Sequence, residues 1–312
     1  MFVVSAATRL VFSLTSALAW AGFYLLRLGE RVLPRSVMSL LLWPPAAAWD
    51  LVQLGQRKPV TSWRRFPEEW HPKPARFFLR QSLGLYHAKF IYIWPDRLRS
   101  PRWLSRCRLE GGRDLIGSRD EDRGVVLAHL HFGPSDVLPY WLRAHGIVTT
   151  ALVGRPKPLP RLASRQHALS APADVPLFIP VNEMPRRVRQ LMGPGRRVLV
   201  AVDVNRGQQV YVPFEHHLFR MATGAIRLAR LAKAELIPCL IVETASWNFV
   251  IHFGTPVPGC YLGNPPNLKA AAAHLLKEFL KVVTCYPTQC SHMLLSCISP
   301  AAVEEDQSFN RS

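Results

Sequence analysis

The residues best suited to chemistry are His131 and Asp136, which stand in the run His131-Phe132-Gly133-Pro134-Ser135-Asp136. A histidine can take a proton from an alcohol when a carboxylate fixes its tautomer and stabilises the imidazolium that forms. No serine or cysteine nucleophile accompanies the pair, and no Gly-x-Ser-x-Gly elbow or phosphate-binding loop occurs in the chain. A base without a protein nucleophile suits direct transfer of an acyl group to a bound hydroxyl. The two plainer readings are a core histidine beside a helix-start aspartate, and a metal site built from His129, His131 and Asp136. The metal reading finds no further ligand at suggestive spacing.

The elements around the pair give it a place. Gly124 to His131 is a short apolar run that predicts a buried strand. Phe132-Gly133-Pro134 turns the chain, and Pro134 suits the first position of a helix over 135–143. Val137, Leu138, Trp141 and Leu142 are expected on its inner side. His131 thus falls at the carboxyl end of a strand, where open α/β sheets bind ligands. Ile147 to Val153 predicts a second strand, parallel to the first, with Arg155 emerging at its end. Arg155 is expected to share a crevice with His131 and to bind an acyl carbonyl oxygen or a phosphate. Lys157 extends that basic wall.

The order of further short motifs resembles a known family. After the His131–Asp136 run come Gly154-Arg155-Pro156, Val198 to Asp203 with Gly207, Val212-Pro213-Phe214, and Ala222-Thr223-Gly224. Together, over roughly residues 105–260, these resemble the lysophospholipid acyltransferase superfamily. Within it they are closest to the lipid A lauroyl/myristoyl acyltransferase branch. The resemblance implies a glycerolipid acyltransferase-like α/β fold, with a mixed, mostly parallel sheet flanked by helices. It also implies a catalytic set of His131, Asp136 and Arg155, with Asp203, Asn205, Thr223 and Lys157 binding substrate. Thr223 is placed to cap the helix over 224–233. Val204 and Asn205 depart from the family pattern, as do Glu215-His216-His217. The donor implied is an acyl thioester, on acyl carrier protein or coenzyme A, and the acceptor a hydroxyl of a lipid A precursor or related glycolipid. A lysophospholipid acceptor, or a non-catalytic binder of anionic membranes, is the alternative. No cofactor and no metal is called for.

Charge and hydropathy bear on where such a reaction would run. The 312 residues carry a formal charge of +18, with 49% hydrophobic side chains. A basic excess of this size calls for an anionic partner. Residues 56–80 interleave Arg and Lys with Trp63, Phe66 and Trp70 and carry no nucleic-acid-binding signature, which favours a membrane surface over RNA or DNA. Residues 10–26 carry no charge and would form a helix about 25 Å long, bracketed by Arg9 and Arg27. This predicts an N-terminal membrane anchor, with the arginines that follow placing the bulk of the protein on the cytoplasmic side of a bacterial inner membrane. The apolar stretch over 36–52, broken by Pro44-Pro45, is expected either at the membrane interface, with Trp43 and Trp49 at headgroup level, or as a core helix. The division expected is an anchor over 1–30, a basic membrane-proximal segment over 31–105, an α/β domain over 106–300 and a frayed tail over 301–312. Cys285, Cys290, His292 and Cys297 match no standard zinc spacing and are expected as reduced thiols.

Overall fold

The computed structural model describes residues 6–30, 32–55, 74–112, 124–154, 177–183, 187, 192, 195–263 and 265–300. Arg155, Lys157, the basic stretch 57–73 and the tail 301–312 lie outside the described residues.

A seven-stranded sheet organises the molecule. Its strands are β1 (Cys107–Glu110), β2 (Val125–His129), β3 (Thr149–Val153), β4 (Phe178–Pro180), β5 (Arg197–Ala201), β8 (Glu235–Ala245) and β9 (Asn248–Phe253), in the order β1-β9-β8-β2-β5-β3-β4. All neighbours run parallel except the β8–β9 pair. A three-stranded antiparallel sheet, β10-β7-β6, joins β6 (Gln209–Phe214), β7 (His217–Ala222) and β10 (Ile298–Pro300). The mixed, mostly parallel sheet is the one expected. The expected neighbour relation is corrected: β3 is parallel to β2 in sense but pairs with β5, which lies between them.

Alternation along each strand supplies two apolar layers. On β2, Val126 and Ala128 enter one cluster and Leu127 the other; on β8, Leu236, Leu240 and Val242 oppose Ile237, Cys239 and Ile241. The first layer is closed by α6 (Gly224–Ala232) and α7 (Leu268–Val283). Asn267 caps α7, its side chain accepting from Ala270 N at 3.0 Å. The second layer is closed by α1 (Ala6–Gly29), α2 (Arg35–Gly55), α3 (Pro74–Ile93) and α5 (Leu138–Ala144), with the short α4 (Pro101–Leu104) beside them.

The expected membrane span is not found: among the described residues no helix is long and apolar enough to cross a membrane. The apolar stretch does wind into α1, but Phe23 and Leu26 are drawn into the second layer, beside Met38 and Leu42 of α2 and Tyr86 and Phe90 of α3. Nor does Pro44-Pro45 break the second stretch, since α2 runs through both prolines. Polar groups fasten these helices to the sheet. His87 Nδ1 pairs with Glu243 Oε1 at 2.6 Å, and Trp247 Nε1 donates to Ser39 Oγ at 3.0 Å.

Pro213 and Phe214 of the family-like motif lie in β6. Glu215 and His216 are the two-residue turn between β6 and β7, with Phe214 opposite His217. Glu215 takes a left-handed φ of 49° there.

Candidate active site

β2 and β5 end side by side, with His129 opposite Ala201. The chain leaves both strands in the same direction, so the next residues of that face are His131 and Asp203. They meet. The Asp203 carboxylate accepts from His131 Nδ1 through Oδ1 at 2.8 Å and from the His131 main-chain N–H through Oδ2 at 2.8 Å. The Asp203 side chain is 0% exposed and that of His131 26%. A buried carboxylate thus holds the partly open His131 by two bonds, one to its ring and one to its main chain. With Nδ1 donating, Nε2 is the nitrogen that carries the lone pair.

Asp203 is itself fixed from behind. Cys297 Sγ donates to its carbonyl oxygen at 3.5 Å, and Val202 N and Ala222 N link β2, β5 and β7 around it. Thr223, buried, donates from Oγ1 to Gln208 O at 3.0 Å and from N to the same oxygen at 2.9 Å. It therefore closes the 203–208 loop. It stands at the N-cap of α6 without a side-chain capping bond, which corrects the capping expected of it. Asn205 is exposed, with Oδ1 accepting from Gln209 Nε2 at 3.1 Å.

The turn after His131 is wound tightly. Gly133 has φ +56°, and a Cβ there would stand 2.4 Å from Ile241 O and 2.9 Å from Gln289 Oε1. The main chain of Gly133 donates to Gln289 O at 2.8 Å, and Phe132 bridges to Cys290. Ser135 to Val137 forms a 3-10 turn and α5 starts only at Leu138, so the helix expected over 135–143 is split. Pro139 sits in the first turn of α5, where its missing donor is tolerated. Val137, Leu138, Trp141 and Leu142 are all buried, as expected.

Asp136 lies exposed on the 3-10 turn. The orienting place at Nδ1 expected of Asp136 is occupied by Asp203. The charge of Asp136 reaches His129, Tyr92 and Tyr140. Burial first, then that charge, keeps the Tyr92 phenol above its ordinary range. Tyr140 is raised further, by burial, then Tyr92, then Asp136. The two rings meet edge to face at 5.7 Å. Both phenols are therefore neutral hydroxyl donors at neutral pH.

His129, one strand step behind His131, is fully enclosed. Burial, reinforced by the His131 ring 5.8 Å away, lowers its pKa to about 4 against the opposing pull of Asp203. Its Nδ1 lies 3.2 Å from Leu130 O and donates to it. Among the described residues no group of three His, Cys, Asp or Glu is arranged to hold a metal.

Arg155 and Lys157 fall outside the described residues. Gly154, the residue before them, is described, and a Cβ built there would meet Arg206 Nη1 at 2.9 Å. Arg206, from the loop after Asp203, thus brings a cation to the end of β3. Arg206, Tyr92, Tyr140 and Gln289 were not picked out from sequence. Only Arg206 carried a usable signal, three residues after a strand-end aspartate.

A base held by a buried carboxylate at paired strand ends is equipped for proton transfer from a hydroxyl. Residues 80–295 match the model of the family described as bacterial lipid A biosynthesis acyltransferase. The chain belongs to that family. It is an acyltransferase, and the family implies an acyl donor and a lipid acceptor. No curated protein matches the chain. The family match covers β2, β5 and the tail segment at Gln289, so it includes both residues of the His131–Asp203 pair.

Proposed function

We propose that the protein moves a fatty acyl chain from a thioester donor to a hydroxyl of a lipid A precursor or related glycolipid. The donor is acyl carrier protein or coenzyme A, and the observation that carries the reading is the His131–Asp203 pair. His131 Nε2 takes the proton of the acceptor hydroxyl as its oxygen attacks the thioester carbonyl. The tetrahedral intermediate collapses with cleavage of the C–S bond, and the imidazolium returns its proton to the departing thiolate. Asp203 holds the ring in the required tautomer and stabilises the transient cation. Asp136 adds negative charge at the same turn. Arg155 is assigned to the oxyanion, with Lys157 and Arg206 supplying further positive charge. Asn205 and Thr223 shape the loop over the acceptor. No acyl-enzyme forms, because attack is direct.

Membrane contact in this reading is interfacial. Leu14, Leu18, Leu25, Leu28, Leu40 and Trp43 of α1 and α2 are exposed, as is Val32 between the helices. Such apolar side chains on a basic protein fit a hairpin lying in the headgroup region of an anionic leaflet. The location proposed is the cytoplasmic face of a bacterial inner membrane.

The test is a transfer assay with purified protein, acyl carrier protein and coenzyme A thioesters, and lipid A precursor or lysophospholipid acceptors, read by mass spectrometry of the lipid. His131→Ala is expected to lower the rate by about 10²–10⁴. Unchanged transfer by that variant rejects the assigned base.

A further inference from the structure

The turn between α1 and α2 rests on the 3-10 turn Pro95–Arg99 and on α4. Arg97 Nη1 pairs with Glu30 Oε1 at 2.5 Å, and Arg102 Nη2 donates to Leu33 O at 3.1 Å. Behind them stands Arg106, 5% exposed, its guanidinium 4.7 Å from the Trp103 ring. Its Nε and Nη1 are buried and have no hydrogen-bond partner. A buried guanidinium donor without a partner is costly, so these two N–H groups are set for an acceptor from outside.

The charges around Arg106 worsen that imbalance. Burial is the largest influence on it, followed by repulsion from Arg35 and then Arg102; together they push its pKa down to about 10 against the pull of Glu30. Glu30 already gives an oxygen to Arg97. Arg35 is exposed at the first turn of α2, where the helix dipole adds positive potential. The cluster therefore offers a buried fork, three more guanidiniums and a helix N-terminus, against Glu30 and, beside Arg97, Asp96. Immediately beside it in the chain stand Leu28 and Val32, 81% and 82% exposed, which is the apolar part of the same turn.

We propose that Arg35, Arg102 and Arg106 form a headgroup site for an anionic phospholipid, separate from the acyl-transfer site. Arg106 supplies the planar fork that grips a phosphate through two N–H groups, and Arg35 closes on it from the surface. Leu28 and Val32 lie among the acyl chains of the same leaflet. The site would fix the hairpin at one depth and one rotation on the membrane. It rests on the interfacial reading given above.

Flotation of the full-length protein with vesicles separates the two ideas. Wild type is run with phosphatidylcholine alone and with phosphatidylcholine containing phosphatidylglycerol. Loss of one basic contact to an anionic leaflet corresponds to about fivefold weaker binding. Arg35→Gln is expected to lose that factor on the anionic vesicles. Arg106→Lys keeps the charge but removes the fork, and is expected to lose at least as much. Arg227→Gln, exposed on α6 over the other apolar layer, is the control and is expected to bind as wild type. Circular dichroism and melting of each variant show that it is folded; should Arg106→Lys fail to fold, Arg35→Gln carries the comparison.

Equal binding by wild type and folded Arg106→Lys, or by Arg35→Gln and Arg227→Gln, overturns the headgroup site while leaving membrane binding intact. Full release of wild type by inorganic phosphate, but not by chloride of equal ionic strength, overturns the lipid as ligand in favour of a free-anion site. If wild type floats with neither vesicle, the interfacial reading fails and the site fails with it.

Discussion

Asp203 and His131 extend, beyond the last paired residues, the register that sets His129 opposite Ala201 on parallel strands β2 and β5. The pair is thus a product of strand neighbourhood. Its two 2.8 Å bonds place one carboxylate on both the ring and the main chain of the same histidine.

Asp203→Asn tests that relationship directly. The amide keeps the shape but can no longer stabilise an imidazolium, and one of its two sites now donates. Loss of the carboxylate in the comparable position of a catalytic triad lowers the rate about 10⁴-fold. A loss of that order is expected here. Asp136→Asn, exposed and acting through its field, is expected to cost about tenfold, the equivalent of about 1.4 kcal/mol on the barrier. Rates of acyl transfer for both variants, at matched melting temperature, decide the ranking. A larger loss for Asp136→Asn would return the orienting role to Asp136.

How much of this was legible in the sequence follows from the range of each interaction. The β2 strand, its turn and the buried face of α5 are local: apolar run, Gly-Pro turn and helical spacing lie within 20 residues. His131 was therefore visible, and so was α6. Asp203 was visible as a substrate-binding acid implied by the family resemblance, but not as the partner of His131. Nothing in either segment records that β5 inserts between β2 and β3. The split of the helix between Val137 and Leu138 and the β6–β7 hairpin depend on local turn chemistry that the short motifs do not record. The hydropathy of α1 was legible, yet it reports only that an apolar face must be covered; α2 and α3 cover part of it.

Gly133 and Gln289 give a second prediction. An alanine at Gly133 must adopt a φ of +56° and push against Ile241 O. The left-handed conformation alone costs about 1–2 kcal/mol, and the clash adds to it. Gln289 holds the opposite wall by bonding the main chain of Glu243 twice, at 2.9 Å each. Gln289→Ala is expected to cost about 1–3 kcal/mol through those two bonds. Because the new Cβ would also meet Gln289 Oε1, the double variant is expected to lose less than the sum of the singles. Urea unfolding midpoints at constant slope measure all three. Strict additivity would show that Gln289 does not confine the turn.

His129 predicts a pH dependence. Its folded pKa, about 4, lies below the ordinary value of 6.5 because burial disfavours the charged ring. Between those values the unfolded chain binds the extra proton and the folded chain does not. Stability from this group is therefore present above about pH 6.5 and is lost as pH falls toward 4. Between pH 7 and pH 5 the loss is roughly 2 kcal/mol. His129→Gln should flatten that part of the stability curve. The ring signals of His129, followed by NMR, should not titrate above about pH 5. A midpoint near 6.5 would mean that the pocket behind His131 admits water.

The cysteines give the last prediction. All six are free thiols; Cys260 and Cys285 are exposed, and Cys107, Cys239, Cys290 and Cys297 are buried. Burial pushes the thiols of all four enclosed cysteines up, with Asp203 adding to the effect at Cys297. A thiol reacts as its thiolate, so these four should be inert in the folded protein. A thiol reagent added to native protein should therefore modify Cys260 and Cys285 rapidly and the remaining four only on unfolding. Cys297 is the informative member, because its Sγ donates to the carbonyl of Asp203. Cys297→Ser preserves a donor and should retain transfer, whereas Cys297→Val leaves that carbonyl without this bond and should slow it. Mass spectrometry of labelled peptides reads the first expectation and the transfer assay the second. Rapid labelling of Cys297 in active protein would show that the segment behind Asp203 opens during turnover, and the clamp described here would then not be rigid.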